Sequence, residues 1–128
     1  MQKKHISSGS LYEAEICYSR AVVVPPFIFV SGTTGFNYTT MTIAGDIVAQ
    51  TEQTFLNIEQ ALQQAGASLQ DVVQVRYILP NAHLFTLCKP VLQKYFGQVK
   101  PAATMLQAGL LDERMLIEIE VMAMISGC

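Results

Sequence analysis

From Ala21 to Thr33 the chain is almost wholly apolar and β-branched, broken only by Pro25 and Pro26. Proline cannot donate to a strand ladder, so the pair marks a turn, and the segment reads as a hairpin. The polar stretch Thr33 to Gly45, with Gly35 and Asn37, reads as a loop. At Asp46 the period changes. Ile47, Thr51, Phe55, Ile58, Leu62 and Ala65 fall on one helical stripe, with Gln50, Gln53, Asn57, Gln60 and Gln64 off it and Gly66 following as a C-terminal cap. Val72 to Leu79 is β-branched and bounded by Asp71 and Pro80, the pattern of a strand. A second helix is expected to end at Phe96 and Gly97, with Pro90 its candidate first residue because Lys89 is restrained from helical angles. Ala103 to Ala108 and Leu116 to Ile125 read as strands on either side of a loop around Asp112 and Glu113.

The last strand carries the pattern with the most consequence. Ile117, Ile119, Val121, Ala123 and Ile125 share one face; Leu116, Glu118, Glu120, Met122 and Met124 share the other. Carboxylates mixed with large apolar side chains make neither an ordinary wetted face nor an ordinary core. The elements add up to an α+β fold, about six strands with two helices on one side, which leaves the opposite face in need of cover. Further copies of the chain are the economical cover.

At 128 residues the chain has the size of one domain, spanning residues 1–128. Its 51% hydrophobic and 14% charged content exceeds what so small a monomer hides easily, which again points to an oligomer. A net charge of −2 with only eight scattered Lys and Arg argues against a nucleic-acid partner. The basic start, Met1 to His5, runs into Ser7, Ser8, Gly9 and Ser10, so no signal peptide is expected. No segment nears the roughly eighteen apolar residues of a membrane span, and a cytoplasmic protein without membrane contact is expected. Cys17, Cys88 and Cys128 match no metal or redox spacing. With only His5 and His83 as histidines, they read as free thiols without catalytic activation.

Taken in order, Tyr18-Ser19-Arg20-Ala21-Val22, Val30-Ser31-Gly32, the helix from Asp46 through Gln50 and Thr51 to Gly66, Tyr95-Phe96-Gly97, Lys100-Pro101-Ala102 and Ile117-Glu118-Ile119-Glu120 resemble the reactive-intermediate (imine/enamine) deaminase family, RidA/YjgF-like, from about Gly9 to Ile125. The resemblance implies a chorismate-mutase-like fold and a homotrimer with small-molecule clefts between subunits. For the deaminating members it implies hydrolysis of 2-imino or 2-enamino acids to 2-keto acids and ammonia, with no metal or organic cofactor. Those members carry an arginine directly after the Pro-Ala pair. That position here is Ala103, whose methyl cannot replace the two charge-assisted hydrogen bonds a guanidinium gives a carboxylate. Lys89 stands where asparagine is common, and Met105 where many members have cysteine.

By that resemblance Glu118 is the candidate catalytic group, positioning or activating water, while an intersubunit ion pair is its plainer role. Glu120 shares its face and could serve equally; the motif favours Glu118. Tyr18 and Ser31 match a cleft tyrosine and serine, and Gly32 would let a backbone amide approach closely. Read without the resemblance, Tyr18 is a strand residue and Ser31 a strand-end hydroxyl. Lys89, Lys100, Arg20, Arg76 and Arg114 are the cations that could stand in for the clamp, each better read as solvated, with Lys89 nearest the expected cleft. His83 reads as a cap or surface residue. Three functions follow from the sequence: a diverged imine or enamine hydrolase with weak or altered activity, a non-catalytic trimer that binds or senses a metabolite, and a structural or protective role for the trimer surface.

Overall fold

The computed structural model describes residues 2–125. A short strand β1 (Lys4–Ile6) and a helix α1 (Leu11–Ile16) precede the hairpin β2 (Ala21–Val24) and β3 (Phe27–Thr34). Strands β4 (Phe36–Asn37) and β5 (Thr42–Ile43) form a small ribbon. Helix α2 (Ile47–Gln64), β6 (Val72–Leu79), α3 (Phe85–Phe96), β7 (Ala102–Gln107) and β8 (Glu118–Met124) follow. The large sheet is mixed, in the order β1-β2-β3-β8-β6-β7, with β7 parallel to β6 and the other pairs antiparallel.

The hairpin turns at Pro25 and Pro26, as its two prolines require. Asp46 caps α2 by accepting from the Ala49 amide at 2.9 Å, so the helix begins where the apolar stripe does. Its inner stripe, Ile47, Phe55, Ile58 and Leu62, is buried on the sheet's Val75, Ile119 and Val121 side in one core. Phe55 stacks on Tyr95 at 4.6 Å and meets Phe96 edge-on at 5.1 Å, fixing α3 beside α2. Truncating Phe55 to alanine would cost about 3–5 kcal/mol.

Four expectations change. Pro90 lies inside α3 rather than at its start, because Asn81 opens a short 3₁₀ turn at Ala82–Leu84 that feeds the helix directly. Thr86, whose carbonyl would have met the missing proline N–H, lies on an exposed turn. The stretch after Thr33 is no plain loop: β3 continues to Thr34, and β4 and β5 pair behind it. β1 and α1 carry too weak a pattern to be expected from sequence. Gln50, although off the apolar stripe, is fully buried. Its amide donates to the Ala44 and Arg114 carbonyls and accepts from the Leu116 amide, tying the approach of β8 to α2.

Both helices α2 and α3 cover the face that carries Ile117, Ile119, Val121 and Ala123, all buried. The other face is open. Phe27, Phe29 and Met124 on it are exposed, with Phe29 paired to Met122 across the strands. No helix is long and apolar enough to cross a membrane among the described residues. Cys128 lies outside those residues. Cys88 is buried, with its sulfur 3.3 Å from the Thr51 hydroxyl, and burial pushes its thiol pKa up, away from reactivity. His83 is exposed in the turn before α3.

Candidate functional site

The site begins with two irregularities in the chain. Helix α1 ends at Cys17, in left-handed conformation at φ 65°, which turns the chain so that Tyr18 precedes β2 rather than lying within a strand. In β3, Val30 pairs with Val121 and Thr33 with Ile119, so Ser31 and Gly32 together oppose the single residue Glu120. This β-bulge breaks the alternation of faces and brings the Ser31-Gly32 backbone toward the residues before β2.

Arg20 joins the two irregularities. Its Nη1 donates to the Gly32 carbonyl at 2.8 Å and to the Thr33 hydroxyl at 3.0 Å, and its Nη2 donates to the Tyr18 hydroxyl at 2.8 Å. The guanidinium also lies over the rings of Tyr38, at 4.6 Å, and Tyr18, at 5.3 Å. Arg20 is 1% exposed, so the expectation of a solvated cation is wrong for it. Its acceptors come from the bulge, which neighbouring sequence does not reveal; the clue was a lone arginine at the edge of an otherwise apolar strand.

Ser31 is fixed rather than free. Its hydroxyl donates to the Ser19 carbonyl at 2.6 Å and its amide to the Arg20 carbonyl at 2.9 Å, leaving the hydroxyl lone pairs open to a partner.

Glu118 opens β8 just after the Gln50 tether. Its carboxyl lies against Gly32: a Cβ added to that glycine would come within 2.6 Å of Oε2. The space that glycine leaves is therefore filled by the chain's own carboxyl, where the sequence suggested a backbone amide would approach. Glu118 makes no side-chain hydrogen bond among the described residues. Burial, followed by the charge of Glu120, raises its pKa, while Arg20 opposes the shift. Glu120, equivalent by pattern, is held by Arg76 at 3.0 Å on the open face. The two glutamates are thus separated by structure: one is paired, the other is free to meet water or a ligand.

Lys89, Ala103 and Met105 lie elsewhere. β7 runs parallel to β6 with Val75 beside Ala103 and Tyr77 beside Met105. Residues paired in this way point to the same side of the sheet, so Ala103 and Met105 share the helix side with buried Val75 and Tyr77, whereas Glu118 is on the open side. Met105 borders a shallow groove of about 130 Å³ with Leu79, Ala82 and Phe85. Lys89, one helical turn after Phe85 on α3, is exposed. Within one chain the structure therefore brings together Tyr18, Ser31, Gly32 and Glu118, and leaves Lys89, Ala103 and Met105 at a separate edge.

No group of three His, Cys, Asp or Glu side chains is placed to hold a metal among the described residues. A mixed six-stranded sheet with helices on one face, and a free carboxyl beside a bulge on the other, defines an α+β protein whose polar site opens on the uncovered sheet face. The chain belongs to the family described as Endoribonuclease L-PSP, whose profile matches residues 10–125, and so to the RidA/YjgF-like proteins. It is 40% identical over 107 residues to a RutC family protein of Pyrococcus abyssi, covering 83% of this chain and 84% of that one. It is 30% identical over 127 residues to a 2-iminobutanoate/2-iminopropanoate deaminase of Dermatophagoides farinae, covering 98% and 99%. A solved Mycobacterium tuberculosis member of the YjgF/YER057c/UK114 family superposes with a TM-score of 0.88 at 36% identity, covering 97% of this chain and all of that one.

Proposed function

We propose that the chain is a cytoplasmic homotrimeric hydrolase, diverged from the imine deaminases, that adds water to a C=N or enamine bond of a small molecule held between subunits. The observation that carries this reading is Glu118, a half-buried carboxyl with raised pKa and no side-chain partner among the described residues, lying against Gly32 in the bulge to which Arg20 ties Tyr18. The ionised form of such a carboxyl can take a proton from attacking water, and the neutral form that results can return it to the departing nitrogen. The relation to a protein named 2-iminobutanoate/2-iminopropanoate deaminase supports the same chemistry. No nucleic acid and no cofactor enters the reading.

The trimer rests on two features. The open face carries exposed Phe27, Phe29 and Met124, which association would cover. The candidate residues also divide into two groups on opposite sides of one sheet, and a neighbouring copy can bring the β7 edge of one chain to the Glu118 region of the next. Such an assembly would form a cleft from both groups.

Ala103 makes activity on 2-imino acids weak, because the β7 side of that cleft lacks a guanidinium. The same absence favours a second reading, a trimer that binds or senses a metabolite without turning it over. Hydrolysis of freshly generated 2-iminopropanoate decides between them. Measurable turnover that falls at least roughly a hundredfold in Glu118→Gln supports the hydrolase. Saturable binding of small carbonyl compounds with no turnover, unchanged by Glu118→Gln, supports the sensor.

A further inference from the structure

Arg20 is the most buried charged side chain among the described residues, at 1% exposed, and no carboxylate there lies within ion-pair distance of it. Its Nε has no partner. Burying a guanidinium without an ion pair is costly, so its place calls for a use of its position and of its charge.

Its position grips both residues of the β3 bulge. The Arg20 backbone carbonyl accepts from the Ser31 amide at 2.9 Å, and Nη1 donates to the Gly32 carbonyl at 2.8 Å. Nη1 also donates to the Thr33 hydroxyl at 3.0 Å, whose own proton goes to the Ser31 carbonyl at 2.7 Å. Both bulge carbonyls are thus held, one directly and one through Thr33. A bulge gives up ladder hydrogen bonds, and these bonds stand in for them. The other side of Gly32 belongs to Glu118: a Cβ added to the glycine would stand 2.6 Å from Oε2 and 2.7 Å from Cδ. Gly32 therefore lies between guanidinium and carboxyl, its carbonyl on the first and its α-carbon against the second.

The charge has two carboxylates to act on, Glu13 and Glu118. Glu13 already accepts from the Ser8 amide at 3.0 Å and from the Ser8 hydroxyl. Glu118 has no such donors among the described residues, and its like-charged neighbour Glu120 is occupied by Arg76. The phenols of Tyr18 and Tyr38 complete the titratable groups around Arg20. Burial and Glu120 disfavour a charge on Glu118, and Arg20 favours it.

We propose that Arg20 is a positioning residue for Glu118: it fixes the Ser31-Gly32 bulge as the seat of the carboxyl and supplies, across Gly32, the positive charge that lets a half-buried carboxyl without donors carry its negative one. This assignment rests on the reading of Glu118 as the group that takes a proton from water, since only the ionised carboxyl does so. Arginine suits both tasks. Its planar fork serves three acceptors while its charge survives burial, whereas a lysine keeps the charge and loses the fork.

The test uses the whole protein with ¹³C in the glutamate side-chain carboxyls and ¹⁵N in arginine. The Glu118 signal is assigned by its loss in Glu118→Gln, and the Arg20 Nε–H signal by its proximity to the Tyr38 ring. In Arg20→Gln the Glu118 carboxyl should titrate at least roughly half a pH unit above wild type, while Glu52, paired with Lys94, stays unmoved. Arg20→Lys should return most of that shift, and Glu120→Gln should move Glu118 the opposite way; loosened packing alone gives neither result. Where imine is hydrolysed, the acidic limb of kcat/KM should rise with the carboxyl in Arg20→Gln. In wild type the Nε–H signal should shift through the Glu118 titration and cease to do so in Glu118→Gln, so the coupling is read even if no Arg20 variant folds. In Gly32→Ala, whose methyl takes the seat of the carboxyl, that response should largely disappear. An unchanged Glu118 titration in folded Arg20→Gln, an Arg20→Lys that behaves like Arg20→Gln, an Nε–H signal flat through the Glu118 titration, or a response that survives Gly32→Ala overturns the proposal. The expected titrations in a protein that hydrolyses no imine leave the pairing of Arg20 with Glu118 standing and remove the hydrolase reading. Imine hydrolysis that is lost in Glu118→Gln, with a flat Nε–H signal in wild type, does the reverse.

Discussion

Around Glu118 nearly every polar group is held: Tyr18 by Arg20, Ser31 by the Ser19 carbonyl, Arg20 by the bulge and by the Tyr38 ring. Along β7 all six residues are exposed; Arg76, beside Thr104 on β6, is taken up by Glu120, and Lys89 is exposed on α3. The first region is finished within one chain. The second is an open edge of small and apolar side chains whose partners this chain does not supply. Groups fixed beforehand lose little entropy when a partner is bound, so the first region is pre-organised. The second suits contact with another surface, and its chemistry is the easier of the two to alter. The small side chain at Ala103 leaves no buried group unsatisfied among the described residues, whereas loss of Arg20 would strand a carbonyl and two hydroxyls.

The largest effect is expected from separating the two regions physically. Phe29→Asp places a charge at the centre of the open face, where Phe29 is 46% exposed in the single chain. Light scattering should then give the mass of one chain with a folded spectrum, and any imine hydrolysis should vanish. A wild-type protein that is already monomeric at micromolar concentration would show instead that the β7 edge takes no part in the site.

Adding a guanidinium to the β7 edge comes next. Ala103→Arg should raise kcat/KM for 2-iminopropanoate, and about 30-fold is the expectation if one charge-assisted pair of roughly 2 kcal/mol is regained. A smaller gain would mean that a groove shaped around a methyl and Met105 has no room for the guanidinium. Robust deamination by wild type would show that another group already holds the carboxylate.

A smaller effect concerns pH. The Glu118 carboxyl titrates above its ordinary value in the folded protein, so its neutral form is the one folding favours. Its contribution to stability is full below the ordinary carboxyl range and is lost as pH rises through the elevated value. Glu118→Gln should therefore raise Tm by a few degrees at neutral pH, with the gain shrinking as the buffer is taken down toward the ordinary carboxyl pKa. A gain that does not change with pH would place the cause in packing and not in the buried charge. The least effect is expected from the thiols: Cys17→Ser and Cys88→Ala should leave turnover within a few-fold, with Cys88→Ala lowering Tm because its sulfur is fully buried.

The periodicities of this chain determined most of its architecture. The apolar stripe from Ile47 to Leu62, the β-branched run from Val72 to Leu79 and the alternation through Ile119, Val121 and Ala123 each have one way to bury their apolar side. The α+β arrangement with one bare face follows from them. Glu118 was visible too, as one of two carboxylates, with Glu120, on a face that also carries Met122 and Met124. What tertiary structure alone decided was which polar groups meet. Arg20 and Gln50 look like surface residues in a linear reading, because their partners come from a bulge opposite Glu120, from the turn at Ala44 and from the approach to β8. Pro90 looks like a helix start because the 3₁₀ turn that begins the helix earlier leaves little mark in composition. Burial of apolar area depends on period and tolerates local detail, whereas a hydrogen bond is set by ångström-scale placement of two distant segments, and only the folded chain supplies that placement.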